Sequence, residues 1–180
     1  MIKYYNNREI SKKLNVNLAR WKRWSREFLP PDPLGGLQSG YARQYSLREA
    51  FLVALGGHLV GFLKFSVPQA KIILSDLGPW MEHAGYFQWG PHNFRQKEKT
   101  SKNFDDQYVL IRSRTDWNKI DKGYCYAVSP DRQTKGFALT TTDEFTFINT
   151  PVKMRSTFGD SPFLMLLCIG QFRKYFLQCL

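Results

Sequence analysis

Apolar residues in the first eighty positions recur at helical spacing and are interrupted by short polar turns. Asn6 followed by Glu9 has the spacing of a capping box. Ile10 and Leu14 then lie four apart on one face of a short helix that turns Arg8, Lys12 and Lys13 elsewhere. The run Leu14-Asn15-Val16-Asn17 predicts a break, because Asn15 tolerates a left-handed backbone and Asn17 can cap the next helix. That second helix is predicted over residues 18–26, anchored by Leu18, Trp21 and Phe28 or Leu29, with Arg20, Lys22 and Arg23 outward. Pro30-Pro31-Asp32-Pro33 cannot continue it. The glycine-rich run 34–45 reads as a short two-stranded ribbon with Tyr45 buried against the third helix and Tyr41 exposed. Ser46 with Glu49 opens this third helix, which carries Ala50, Phe51, Leu55 and Leu59. Gly56-Gly57 within it either weakens the helix or admits a close backbone approach. Ser66 caps a fourth, with Pro68 in its first turn and Ala70, Ile73, Leu74 and Leu77 inward, and Gly78-Pro79 is expected to stop it.

Beyond Trp80 the helical period fades, and the polar run 95–103 reads as linker. Period-two alternation then predicts strands at 108–111, 123–128, 136–140 and 145–148. The apolar run 163–169 is expected as a fifth strand in a central position. Residues 171–180 form an amphipathic helix with Phe172, Tyr175, Phe176 and Cys179 on one face. The expected fold class is α+β. Residues 1–78 would be a winged helix-turn-helix domain, 79–103 a linker, and 104–180 a small antiparallel-sheet domain with a C-terminal helix.

Charge sharpens this picture. The chain has 26 Lys and Arg against 15 Asp and Glu, a net +11, and residues 1–48 hold ten of those bases with only three acids. A basic surface concentrated in one quarter of the chain is the footprint expected for a polyanion partner.

An ordered series of local motifs gives that partner a form. Tyr4-Tyr5-Asn6-Asn7-Arg8-Glu9-Ile10-Ser11, Leu14-Asn15-Val16, Trp21-Lys22-Arg23-Trp24, Leu29-Pro30-Pro31 and Arg43-Gln44-Tyr45-Ser46 succeed one another, and Phe65-Ser66-Val67 opens a further helix. Over residues 4–77 this series resembles the MerR-type winged helix-turn-helix, whose start excisionase-like domains share. The resemblance implies a second helix in the major groove of double-stranded DNA and a wing on flanking backbone. Asn17, Arg20 and Arg23 are then expected at or near base edges, and Lys22, Tyr41 and Arg43 on phosphates. Trp21 and Trp24, three apart on a short helix, are expected in the core. The sequence departs from the family after residue 77, where Gly78-Pro79, Gly85 and Gly90-Pro91 interrupt the long dimerisation helix usual at that point. The family's promoter-twisting mechanism is therefore not carried over, and the C-terminal sheet and last helix are expected to make the homodimer contact instead.

Other chemistry finds little footing. Cys125, Cys168 and Cys179 are too scattered for a disulfide framework, and His83 and His92 lie nine apart without a third ligand type, so neither metal nor cofactor is expected. Asp105-Asp106, Asp116 and Asp121 read as strand ends and turns, and no nucleophile-base pair or phosphate-cradling loop is present, so an enzyme is not expected. Phe87, Trp89, Tyr108, Trp117, Tyr124 and Tyr126 could line a small-molecule effector pocket, although core packing is the reading their number favours. No apolar run is long enough to span a membrane, and few cysteines fit a reducing, cytoplasmic setting. The expected function is a sequence-specific, DNA-binding transcriptional regulator. The alternatives are an excisionase-like architectural factor that bends DNA in recombination, and a protein-interaction module.

Overall fold

The computed structural model describes residues 4–32, 42–89, 107–113, 124–129, 138–140 and 164–180. The chain divides into two compact units. One comprises Met1–Trp89 with Tyr175–Leu180, and the other comprises Gly90–Lys174. The combination of helices with small antiparallel sheets makes the fold α+β. The division between the units falls near residue 90, inside the segment 79–103 expected as linker, and the last six residues group with the first unit.

The first unit begins with β1 (Tyr5–Asn6), α1 (Asn7–Lys13) and α2 (Leu18–Phe28). Asn6 starts α1 through a complete capping box. Its Oδ1 accepts from the Arg8 and Glu9 amides at 3.0 Å, and Glu9 Oε2 accepts from the Asn6 amide at 2.8 Å. Asn15 adopts φ 51°, the left-handed conformation the turn demands, and the Val16 amide bonds back to the Ser11 carbonyl at 2.9 Å. Asn17 Oδ1 then accepts from the amides of Ala19 (2.9 Å) and Arg20 (3.2 Å) to begin α2.

β2 (Gln44–Tyr45) pairs antiparallel with β1, placing Tyr5 opposite Tyr45 and Asn6 opposite Gln44. The described part of the ribbon expected within 34–45 thus pairs with the beginning of the chain. Residues 33–41, Tyr41 included, lie outside the described residues. α3 (Leu47–Gly61) and α4 (Val67–Ala84) each start with a capping box, Ser46 with Glu49 and Ser66 with Gln69. Gly56 and Gly57 admit side chains rather than backbone. A Cβ on Gly56 would lie 2.6 Å from the Phe28 ring, and one on Gly57 would collide with the Trp24 ring. The absence of both Cβ atoms is what lets the buried face of α2 seat against α3.

Gly78-Pro79 does not stop α4, which runs to Ala84 and closes on Gly85 at φ 84°. Proline inside a helix costs about 3 kcal/mol. Gly78 relieves part of this because it has no Cβ to strike the proline ring. Trp80 and Met81, 3% and 0% exposed, supply the rest, since each large apolar side chain contributes about 1.5–3 kcal/mol on burial. At the other end of the chain, Phe176 is buried and meets Phe51 edge-on, ring centroids 5.3 Å apart.

The second unit holds β3 (Tyr108–Ser113), β4 (Tyr124–Ser129), β5 (Ala138–Thr140) and β6 (Leu164–Leu167), antiparallel in the order β5-β4-β3-β6. Within the described sheet β4 and β3 are the inner strands, and the apolar run expected in a central position supplies β6 at an edge. Val109, Leu110 and Ile111 are buried in succession, so both faces of β3 are covered, whereas β6 lies at the edge of the described sheet with Leu166 about half exposed. The strand expected at 145–148 lies outside the described residues. α5 (Ile169–Cys179) comes directly after β6. Its Tyr175 is exposed, so the four residues expected on one face do not share burial.

Candidate nucleic-acid interface

α2 has two faces of opposite character. Trp21, Trp24 and Ser25 are buried on one side, and Trp21 packs edge-on against Tyr45 with ring centroids 5.6 Å apart. With successive residues turned about 100° around the axis, Ala19, Lys22, Arg23 and Arg26 fall on the opposite side, all exposed. Arg20 is also exposed and flanks this face. Among the described residues, none of these four bases is held in a hydrogen bond or ion pair. Exposed Arg8 and Lys12 on α1 add to the positive surface of the same unit.

Arg26 was not singled out by the sequence pattern, although its spacing from Lys22 and Arg23, i+4 and i+3, carries the signal. Asn17 is exposed, but its carboxamide oxygen is committed to the two amides at the start of α2. It frames the cationic surface and is not free to use that oxygen as a base reader.

Arg43 has a different place from the one expected. Its side chain is 15% exposed. Nη1 donates to the Pro30 carbonyl at 2.9 Å, Nη2 lies 3.6 Å from Glu49 Oε1, and the guanidinium sits 5.6 Å from the Tyr45 ring centroid. Arg43 braces the Leu29-Pro30 segment against the start of α3. A planar guanidinium can serve a carbonyl, a carboxylate and a ring face at once, which suits it to this bracing role.

Tyr45 anchors this arrangement. Its hydroxyl donates to Asn7 Oδ1 at 2.6 Å and lies 2.8 Å from the Ser25 hydroxyl, which can donate in return. Burial pushes the Tyr45 phenol above its ordinary range. Near the C-terminal end of α2, Glu27 bonds to the Lys71 ammonium at 2.8 Å, and this contact holds its carboxyl below the usual carboxylate range, with Arg23 and Arg26 acting in the same direction. Glu27 is thus drawn toward α4 as well as toward the bases on its own helix.

The aromatic side chains weighed as core or as the lining of an effector pocket are divided between the units. Phe87 and Trp89 belong to the first, while Tyr108, Tyr124 and Tyr126 belong to the second. Trp117 and His92 lie outside the described residues. Among the described residues, no group of three His, Cys, Asp or Glu side chains could hold a metal ion, and no helix is long and apolar enough to cross a membrane. No known protein family, curated protein or solved structure matches the chain.

Proposed function

We propose that the first unit is a winged helix-turn-helix of MerR-like type, and that the protein is a sequence-specific, double-stranded-DNA-binding transcriptional regulator. The observation that carries this reading is the exposed cationic face of α2, Lys22, Arg23 and Arg26 with Arg20 beside it, directly opposite a face fixed in the core by two tryptophans. A rigid helix bearing long donors on its open side suits a major groove, where side chains must reach base edges while neighbouring cations release counterions from phosphates. In this reading Arg20 and Arg23 approach bases, Lys22 and Arg26 hold phosphates, and Arg8 and Lys12 extend the backbone contact. Asn17 and Arg43 hold the frame. A single eleven-residue helix makes few base contacts, so the protein binds as a homodimer on paired half-sites.

Selection of bound fragments from random duplex, then sequencing of the survivors, tests the proposal. A recurring motif with two related half-sites is expected. A pool indistinguishable from the input would refute sequence-specific binding, and phased single sites with strong bending would transfer the chain to the architectural class.

A further inference from the structure

A cavity of about 510 Å³ opens on the first unit between the end of α2, α3 and α4. Its size is that of small-ligand sites, which run to roughly 300–1,000 Å³. Phe28, Leu52, Leu74 and Phe87 supply its apolar lining. Four charged residues also line it, as two cross-helix ion pairs. Lys71 of α4 meets Glu27 of α2 at 2.8 Å, and Arg48 of α3 meets Glu82 of α4. Arg48 also lies over the Phe87 ring, 4.7 Å from its centroid.

The balance of these charges limits what can enter. All four side chains are between 39% and 54% exposed, so solvent screens each pair and it separates readily. A lone anion that took Lys71 or Arg48 would leave a displaced carboxylate facing it. A lone cation that took Glu27 or Glu82 would meet the displaced base in the same way. A molecule carrying both charges replaces both partners, with its carboxylate on a base and its ammonium on an acid. Its body must be flat and apolar to lie among the phenylalanines and leucines. We propose that this cavity binds a free α-amino acid with an aromatic side chain.

The site is separate from the exposed bases of α2, and its test needs no DNA, so it stands or falls independently of the function proposed above. The full chain is titrated with L-phenylalanine, with L-phenylalaninamide (the cation) and with 3-phenylpropanoate (the anion), and binding is read by calorimetry and by backbone amide shifts. L-phenylalanine is expected to bind about tenfold or more tighter than either singly charged analogue, shifting the amides of Leu52, Leu74 and Phe87. Ser75 is exposed on the cavity wall, and Ser75→Phe would fill the space from a solvent-facing position. Ser75→Phe is expected to abolish binding while the urea midpoint stays at the wild-type value. Lys71→Gln and Glu27→Gln, the two halves of one ion pair, provide a second route should that variant fail to fold, and each is expected to weaken binding about tenfold. Equal affinity for the three compounds, tighter binding of a singly charged one, no binding of L-phenylalanine, or binding indifferent to these substitutions would overturn the proposal.

Discussion

Gly57 meets Trp24 so closely that a single added carbon would have to displace the indole. Gly57→Ala is therefore predicted to destabilise the protein by about 1–3 kcal/mol, read as a lower urea midpoint. Gly61→Ala, at the end of the same helix with open space around it, is predicted to leave the midpoint unchanged or raise it slightly. Tyr45 gives a second residue-scale test. Tyr45→Phe leaves Asn7 Oδ1 and the buried Ser25 hydroxyl without their shared partner, a loss of about 1–3 kcal/mol. Because burial raises the phenol's pKa, its contribution is intact below about pH 10, where the unfolded chain still holds the proton, and is lost as pH rises through the folded value. Thermal melts across that alkaline range should fall less steeply for Tyr45→Phe than for the wild type. Sequence spacing is enough to bury Trp21 and Trp24, because i, i+3 periodicity is local. For Gly56-Gly57 it offers either a weakened helix or a close backbone approach, and the partners, the Phe28 and Trp24 side chains, lie roughly thirty residues away, where no local pattern can name them. Arg43 escapes a sequence reading for the same reason. Its best acceptor is a backbone carbonyl at Pro30, which has no side-chain signature.

Helix starts are legible because an N-cap and its partner lie within four residues. Asn6, Asn17, Ser46 and Ser66 all begin helices where the sequence pattern puts them. The N-cap at Asn17 matters most, since it fixes where the cationic helix begins. Asn17→Ala removes the acceptor of two amides and should cost about 0.5–2 kcal/mol, measurable by urea unfolding. Helix ends and strand neighbours are less legible. α4 crosses Gly78-Pro79 because burial of Trp80 and Met81 outweighs a local preference for stopping. The uniform apolar run 163–169 suggests a central strand, yet apolarity alone does not rank strands. The consecutive burial of Val109, Leu110 and Ile111 puts β3 between β4 and β6. The pairing of Tyr5–Asn6 with Gln44–Tyr45 joins residues almost forty positions apart, beyond the reach of any turn signal.

At the scale of the whole molecule, a net charge of +11 is a statement about partners rather than fold. The first unit sets Arg20, Lys22, Arg23 and Arg26 on the exposed side of α2 while using Trp24, Phe28 and Tyr45 to hold the helix in place. The central claim is that this helix meets duplex DNA through Lys22, Arg23 and Arg26, with Arg20 at its flank. The most direct measurement is the dependence of duplex affinity on salt, by fluorescence anisotropy, for the wild type and for the Lys22→Ala, Arg23→Ala, Arg26→Ala triple variant. The account predicts steep loss of affinity with rising salt for the wild type, and a slope of log K against log salt reduced by about 2–3 in the triple variant. An unchanged slope in a folded variant, or no duplex binding by the wild type at low salt, would contradict it.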